Sequence, residues 1–203
     1  IRQAIFDAEL GDDVFQEDST VNLLETKAAE LSGKEGALLV PSGTMGNLIS
    51  FLVHCPRGTE AILGNRSHTF TYEAGGISAF GGIHSHQLHN EEDGTIDIQS
   101  IKNAIRHDNI HFPKTALISL ENTHNKCFGY PLSKDYLDSV ADIAQENNLI
   151  VIEDCAQCVQ GTIGNKVVGS FGHLASFSFE TKKHLSTGEG GMVTTNDSQL
   201  ATS

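Results

Sequence analysis

Short apolar runs alternate with stretches of helical periodicity along most of this chain. Val21, Leu24, Ala28 and Leu31 recur at helical spacing behind Ser19 or Thr20 as cap, and Gly33 closes the helix they predict. Residues 37–40 form an apolar run too short for a helix and predict a buried strand. The turn Pro41-Ser42-Gly43-Thr44 follows, then a helix over 45–54. Residues 60–64 and 115–120 predict two more buried strands, and the stretch holding His84, His86 and His89 another strand. Ile98, Ile101 and Ile105 mark a helix between them. Leu137, Val140, Ile143 and Ala144 line one face of a helix just before the apolar run 149–152, and residues 174–179 predict a further strand. Strand and helix in alternation, with polar residues gathered at strand ends, predict an α/β fold: a mainly parallel sheet flanked by helices, its site along the carboxyl edge. Residues 1–20 open too acidic and too poorly periodic for a core element and predict an N-terminal arm or loop.

Composition narrows the classes. At 203 residues the chain holds one large domain, 1–203, and is short for two. It opens on Ile1 rather than Met, so the expectation is a domain incomplete at both ends. A net charge of −13 argues against nucleic acid or an anionic membrane surface as partner. No apolar run approaches the length of a membrane span, and no basic start with an apolar middle marks a leader. Cys55, Cys127, Cys155 and Cys158 are irregularly spaced, which is no disulfide framework. Cys155 and Cys158 stand where a redox pair would, but zinc would need a second ligand pair. They read as small buried residues near the site, in a chain expected in the reducing cytoplasm.

The candidate chemistry sits at strand ends. The run 149–152 delivers Glu153 and Asp154 to a strand's carboxyl end, and the strand over 174–179 feeds a polar turn carrying Lys182 and Lys183. A lysine that condenses with an aldehyde and an aspartate that holds a proton on a pyridine nitrogen are the parts a pyridoxal 5'-phosphate (PLP) site requires. Singly, a strand-end aspartate is a cap and a lysine pair a solvated turn; together, each behind a buried strand, they point to the cofactor. Ser42, Gly43 and Thr44 lie between a strand and a helix start, where free amides and the positive end of the dipole suit the cofactor phosphate. There is no Walker loop and no GxGxxG, so a nucleotide reading has no support. His68 follows a strand, where it either satisfies a turn or lies flat on the pyridine ring. His84 and His86 share a face without His89, and no carboxylate or cysteine is well placed beside them; a solvated strand face and no metal site are expected.

Two resemblances follow from these residues. Asp154, Gln157, Ser178, Lys183 and the run Thr187-Gly188-Glu189-Gly190-Gly191 resemble the pattern of the DegT/DnrJ/StrS aminotransferases. That likeness implies Lys183, not Lys182, as the cofactor lysine and Gln157 at the ring. Residues 2–140 resemble the low-specificity threonine aldolases, a branch of the β-eliminating lyases. The matching segments are Ala8-Glu9-Leu10-Gly11-Asp12-Asp13-Val14, Pro41 to Asn47, Ser67-His68, Tyr72-Glu73-Ala74-Gly75-Gly76, Asp108 to Pro113 and Glu121-Asn122-Thr123-His124-Asn125. This resemblance implies Ser42, Gly43 and Thr44 at the phosphate, His68 stacked on the ring, and His124 near the phosphate and the reacting hydroxyl. Where the aldolases carry Asp-Gly-Ala-Arg, this chain has Asp154-Cys155-Ala156-Gln157, so the arginine that would grip a substrate carboxylate is missing. The likeness therefore changes family between residues 133 and 150. Both families share the aspartate aminotransferase fold (fold type I), continue into a smaller C-terminal domain absent here, and assemble around the active site, which implies a homodimer or homotetramer.

The expected function is a PLP-dependent lyase of the threonine aldolase type, cleaving β-hydroxy-α-amino acids such as threonine to glycine and an aldehyde. Lys183, His124 and Asp154 are the expected catalytic residues; Ser42, Gly43, Thr44, His68, Asp154, Gln157, Ser178 and Lys183 are expected at the cofactor. A DegT/DnrJ/StrS aminotransferase and a truncated, non-catalytic PLP-fold domain are the alternatives.

Overall fold

The computed structural model describes residues 1–197. In chain order it contains α1 (Arg2–Asp7), α2 (Ser19–Ser32), β1 (Gly36–Val40), α3 (Gly43–His54), β2 (Glu60–Gly64), α4 (His68–Thr71), α5 (Gly76–Ala79) and β3 (His84–Leu88). The second half contributes α6 (Ile98–Ala104), β4 (Thr115–Glu121), α7 (Lys134–Asn147), β5 (Ile150–Asp154), β6 (Thr162–Ile163), β7 (Lys166–Val167), β8 (Leu174–Ser178) and β9 (Gly191–Thr195). Seven strands form one sheet in the order β1-β9-β8-β5-β4-β2-β3, and β6 and β7 make a separate small hairpin. The pairs β2·β3, β2·β4, β4·β5 and β5·β8 are parallel; β9 runs antiparallel to both of its neighbours, β8 and β1. The mainly parallel α/β sheet expected from the alternation is therefore present, with one reversed strand that the periodicity did not announce.

Period-two alternation sorts the strand side chains into two apolar layers. Ala61, Leu63, Leu117, Ile152, Leu174 and Val193 face Phe51 of α3 and Ile77 of α5. Ile62, Ile118, Leu120 and Val151 face the other way, against Ile101 of α6 and Leu137, Val140 and Ile143 of α7. Each fully buried leucine or isoleucine in these layers contributes roughly 1.5–3 kcal/mol relative to exposure. Because both faces of the central strands are covered, their sequences are continuous apolar runs, and that made them legible.

Three expectations are corrected. Residues 1–20 are not wholly arm or loop: they hold α1, which buries no side chain, a 3-10 turn at Asp13–Phe15 and the start of α2. The cap of α2 is Asp18, not Ser19 or Thr20; its carboxylate accepts from the amides of Thr20, Val21 and Gly11, more than one hydroxyl can satisfy. The histidine stretch is not merely a solvated face. Glu60, fully buried at the start of β2, accepts from His86 Nδ1 at 3.0 Å and Arg106 Nε at 2.9 Å, with His84 Nε2 at 3.6 Å. Parallel pairing of β2 with β3 in register sets Glu60 opposite His84, which no local pattern reveals. Among the described residues no cluster of three or more histidine, cysteine or acidic side chains is arranged to hold a metal ion, and no helix is long and apolar enough to cross a membrane.

Glu153 and Asp154 part company at the end of β5, as adjacent strand residues must. Glu153 turns away from α3 and accepts the amides of Gly169, Phe171 and Gly172, while buried Lys34 donates to the Gly172 carbonyl. Asp154 turns toward α3. The first acid builds a loop; the second faces a pocket.

Candidate active site

The carboxyl ends of β4, β5 and β8 lie side by side, so Glu121 pairs in register with Asp154 and Asp154 with Ser176. Helix α3 descends on this edge with its N-terminus first. Ser42, extended at φ −161° and ψ 159°, caps it by accepting from the Met45 amide at 3.1 Å. A Cβ on Gly43 would sit 2.8 Å from Cβ of Ser178, so only glycine lets the helix start close onto β8. Between these elements lies a pocket of about 260 Å³ lined by Ser42, Gly43, Thr44, Asn47, His68, Glu73, Glu121, Asp154, Ala156, Gln157, Ser178, Glu180, Lys183 and Glu189.

Its floor is a chain of hydrogen bonds. Asp154 Oδ1 accepts the Ala156 amide at 3.0 Å and Oδ2 accepts Asn47 Nδ2 at 2.8 Å. The same Nδ2 donates to Glu73 Oε1 at 2.8 Å, and Glu73 Oε1 also meets His68 Nδ1 at 2.9 Å. Glu121 ties two loops to the strand end, accepting the amides of His68 and Asn125 at 2.8 Å each. Burial, reinforced by the charge of Asp154, pushes the Glu121 carboxyl up to about 7. Burial likewise raises Glu73, and its hydrogen bond raises His68 against the burial that would lower it. The pair therefore holds a proton more tightly than either group would in water.

The structure brings all eight expected cofactor residues to this pocket: Ser42, Gly43, Thr44, His68, Asp154, Gln157, Ser178 and Lys183. Of the lysine pair, Lys183 is half-buried against it, whereas Lys182 is exposed and outside its lining. His124 is not brought in. It is 1% exposed, neither ring nitrogen has a partner, and Nδ1 lies 3.9 Å from Glu121 Oε1. Burial and the nearby charge of Arg66 push it down to about 4, which leaves a neutral imidazole behind the acid rather than at the cavity. The pattern reading missed Asn47, Glu73, Glu121, Glu180 and Glu189 as site residues. All but Glu180 stand inside the quoted segments Pro41 to Asn47, Tyr72 to Gly76, Glu121 to Asn125 and Thr187 to Gly191, so motif density was the available signal.

The residues present fit PLP. The α3 N-terminus offers amides to a phosphate, Asp154 offers a carboxylate to a ring nitrogen, and Lys183 offers the amine. Buried Asn47, which lines the same pocket, keeps Oδ1 as an acceptor without a protein partner.

Comparison with known proteins agrees with this geometry. The chain is 46% identical over 166 residues to a probable low-specificity L-threonine aldolase 2 of Arabidopsis thaliana, covering 80% of this chain and 47% of that protein. It is 38% identical over 196 residues to the low specificity L-threonine aldolase of Escherichia coli O157:H7, covering 96% and 58%. The chain thus spans about half the length of these relatives. Its backbone superposes on a DegT DnrJ EryC1 StrS aminotransferase from Brucella abortus with a TM-score of 0.77 at 24% identity, over 98% of this chain and 50% of that one, which shows the aspartate aminotransferase fold. The beta-eliminating lyase family model matches residues 1–203, a span that includes the stretch 133–150 where the two resemblances meet. A match over that whole length settles the kinship: the chain belongs to the beta-eliminating lyase family.

Proposed function

We propose that this chain is the cofactor-binding large domain of a PLP-dependent carbon–carbon lyase of the threonine aldolase type, acting on β-hydroxy-α-amino acids such as threonine. The observation that carries the reading is the convergence of the α3 N-terminus, Asp154 and Lys183 on one pocket, in a chain of this family.

Bound PLP supplies an electron sink for the pair released at the substrate α-carbon. The chain supplies the rest. Ser42, Gly43 and Thr44 bind the phosphate with amides and the helix dipole. Asp154, fixed at both oxygens by Ala156 and Asn47, holds a proton on the ring nitrogen. His68 and Gln157 would hold the ring, and Ser178 walls the pocket beside Gly43. Lys183 Nζ is the amine the pocket would present to the cofactor aldehyde, and a substrate amine taking that place would leave Nζ free to accept or give a proton. Glu121, pushed up to about 7, and His68, whose affinity for a proton is raised by its bond to Glu73, are the groups on this edge able to exchange a proton, so the β-hydroxyl proton falls to them rather than to the buried His124.

A second reading, the aminotransferase, is favoured by the Ser178-to-Lys183 loop and by Gln157 in place of the aldolase arginine. One preparation tested both ways separates the two. Acetaldehyde released from threonine supports the lyase, and oxoglutarate from glutamate without acetaldehyde transfers the function to the aminotransferase. Neither product, with an imine absorbance band present, leaves a cofactor-binding domain without turnover. The apolar groove of Leu24, Leu31, Phe177, Phe179, Leu185 and Met192 beside α2 supports assembly into a homodimer or homotetramer. The four buried, unpaired cysteines suit a cytoplasmic enzyme.

A further inference from the structure

Asn47 stands between two carboxylates and turns the same nitrogen to both. Its Nδ2 lies 2.8 Å from Asp154 Oδ2 and 2.8 Å from Glu73 Oε1, so both of its N–H bonds are committed, and Oδ1 is left buried without a partner. An amide at 2% exposure would not choose this arrangement for its own sake. Flipped, it would set a carbonyl oxygen against two acidic groups at hydrogen-bond distance, which is strongly repulsive at this burial. With Glu73 removed, that constraint halves: Oδ1 and Nδ2 could then exchange, and Asp154 would lose its aligned donor. Glu73 also meets His68 Nδ1 at 2.9 Å, so one carboxylate reaches both the residue beneath the pocket and the residue at its side.

We propose that Glu73 is a positioning residue that couples two groups facing the cofactor, holding His68 by Nδ1 and, through the Asn47 amide, the carboxylate of Asp154. It touches no reacting atom. Its work is to fix which nitrogen of His68 carries a proton toward the interior, and which way the Asn47 amide points, before any ligand arrives. The other charged and titratable groups around it are Asp154, Glu121, Glu180, Glu189 and Lys183, all lining the same pocket. None of these five is a hydrogen-bond partner of Glu73 among the described residues; its side-chain bonds go to Asn47 and His68. The coupling rests on the PLP reading for its ligand, and its first half stands without one.

The experiment has two arms. In the protein without cofactor, ¹⁵N-labelled histidine reports the His68 ring. Glu73→Gln is expected to lower the pH at which His68 titrates and to remove its preference for a proton on Nδ1; an unchanged His68 titration overturns the proposal. In the second arm, the PLP dissociation constant is measured for the unaltered protein, Glu73→Ala, Asp154→Asn and the double variant, with Glu73→Gln replacing Glu73→Ala if the latter does not fold. Loss of one aligned charge-assisted hydrogen bond weakens binding roughly tenfold. If Glu73 acts through Asn47 on Asp154, its removal costs little more once Asp154 is already asparagine. Effects that simply add overturn the coupling. A merely structural glutamate would lower the melting temperature equally in both backgrounds and leave the two constants in the same ratio. Failure of the unaltered protein to bind PLP overturns the cofactor reading and the second half of this proposal, while the histidine arm still judges the first.

Discussion

A carbon added to Gly43 would lie 2.8 Å from Cβ of Ser178, closer than two side-chain carbons approach. The start of α3 is therefore held against the end of β8 by the absence of a side chain. Gly43→Ala is expected to destabilise the fold by about 1–3 kcal/mol through overpacking and to weaken PLP binding by pushing the amide cup off the strand end. Urea midpoints and a PLP titration on the same variant check both; binding unaffected beside a clear loss of stability would separate the cup from the packing.

Lys183 lines the pocket and its neighbour does not. Borohydride treatment of the PLP-loaded protein followed by peptide mapping should place the pyridoxyl group on Lys183. A label on Lys182, or on neither residue, removes Lys183 from the proposed role.

Asp154→Asn keeps the size of the side chain and its place beside Asn47 but cannot hold a proton on a pyridine nitrogen. The variant should remain folded and lose the proposed threonine cleavage by at least about a hundredfold, the scale of losing a preorganised electrostatic partner. Near-normal turnover would falsify the assignment.

His124 sits at about 4 in the fold against an ordinary 6.5. The folded state thus refuses a proton that the unfolded chain accepts, and the contribution of His124 to stability is present above pH 6.5 and is lost as pH falls toward 4. Glu121, pushed up to about 7 from 4.5, acts oppositely: its contribution is complete below pH 4.5 and is lost as pH rises through 7. His124→Phe should therefore gain on the unaltered protein as pH drops from 6.5 to 4, while the two hold a constant difference above pH 7. Urea midpoints across that range test it; a pH-independent difference would show that His124 is not the titrating group.

Glu153 holds three backbone amides and lies close enough to buried Lys34 to offset its charge. Glu153→Ala orphans the three amides and removes the charge that offsets Lys34, whose ammonium keeps its bond to the Gly172 carbonyl, and a loss of roughly 3–5 kcal/mol is expected. Thermal unfolding measures it, and a loss below about 1 kcal/mol would mean that water replaces the carboxylate without difficulty.

The central strands and the residues that line the pocket were legible in the sequence for a shared physical reason. Strands buried on both faces are written as apolar runs, and a site at their carboxyl ends is written as the polar residues that follow. Asp154 and His68 were read in that way, and Ser178 from the aminotransferase-like spacing to Lys183. Strand β9 was not, because Gly191-Met192-Val193-Thr194-Thr195 mixes small and hydroxyl side chains whose burial comes from neighbours far away in sequence. The partnership of Asn47 with Glu73 and Asp154, and that of Glu60 with His86 and Arg106, join residues up to 107 positions apart and leave no local pattern. His124 illustrates the converse: a motif located the residue, while only packing shows that it stands behind Glu121.

The place of β9 also sets an order of events during synthesis. Strand β1 pairs in the sheet only with β9, residue 36 against residue 195, and β9 in turn closes on β8. As the polypeptide emerges from the ribosome, β1 has no strand to join until some 150 further residues have followed, and the strands β2, β3, β4, β5 and β8 can assemble beforehand. A nascent chain arrested before Gly191 would hold a five-stranded sheet with an open edge at β8 and a stranded β1, the kind of unpaired edge that chaperones recognise. Arrest later, once β9 has cleared the exit tunnel, would let both gaps close in one step.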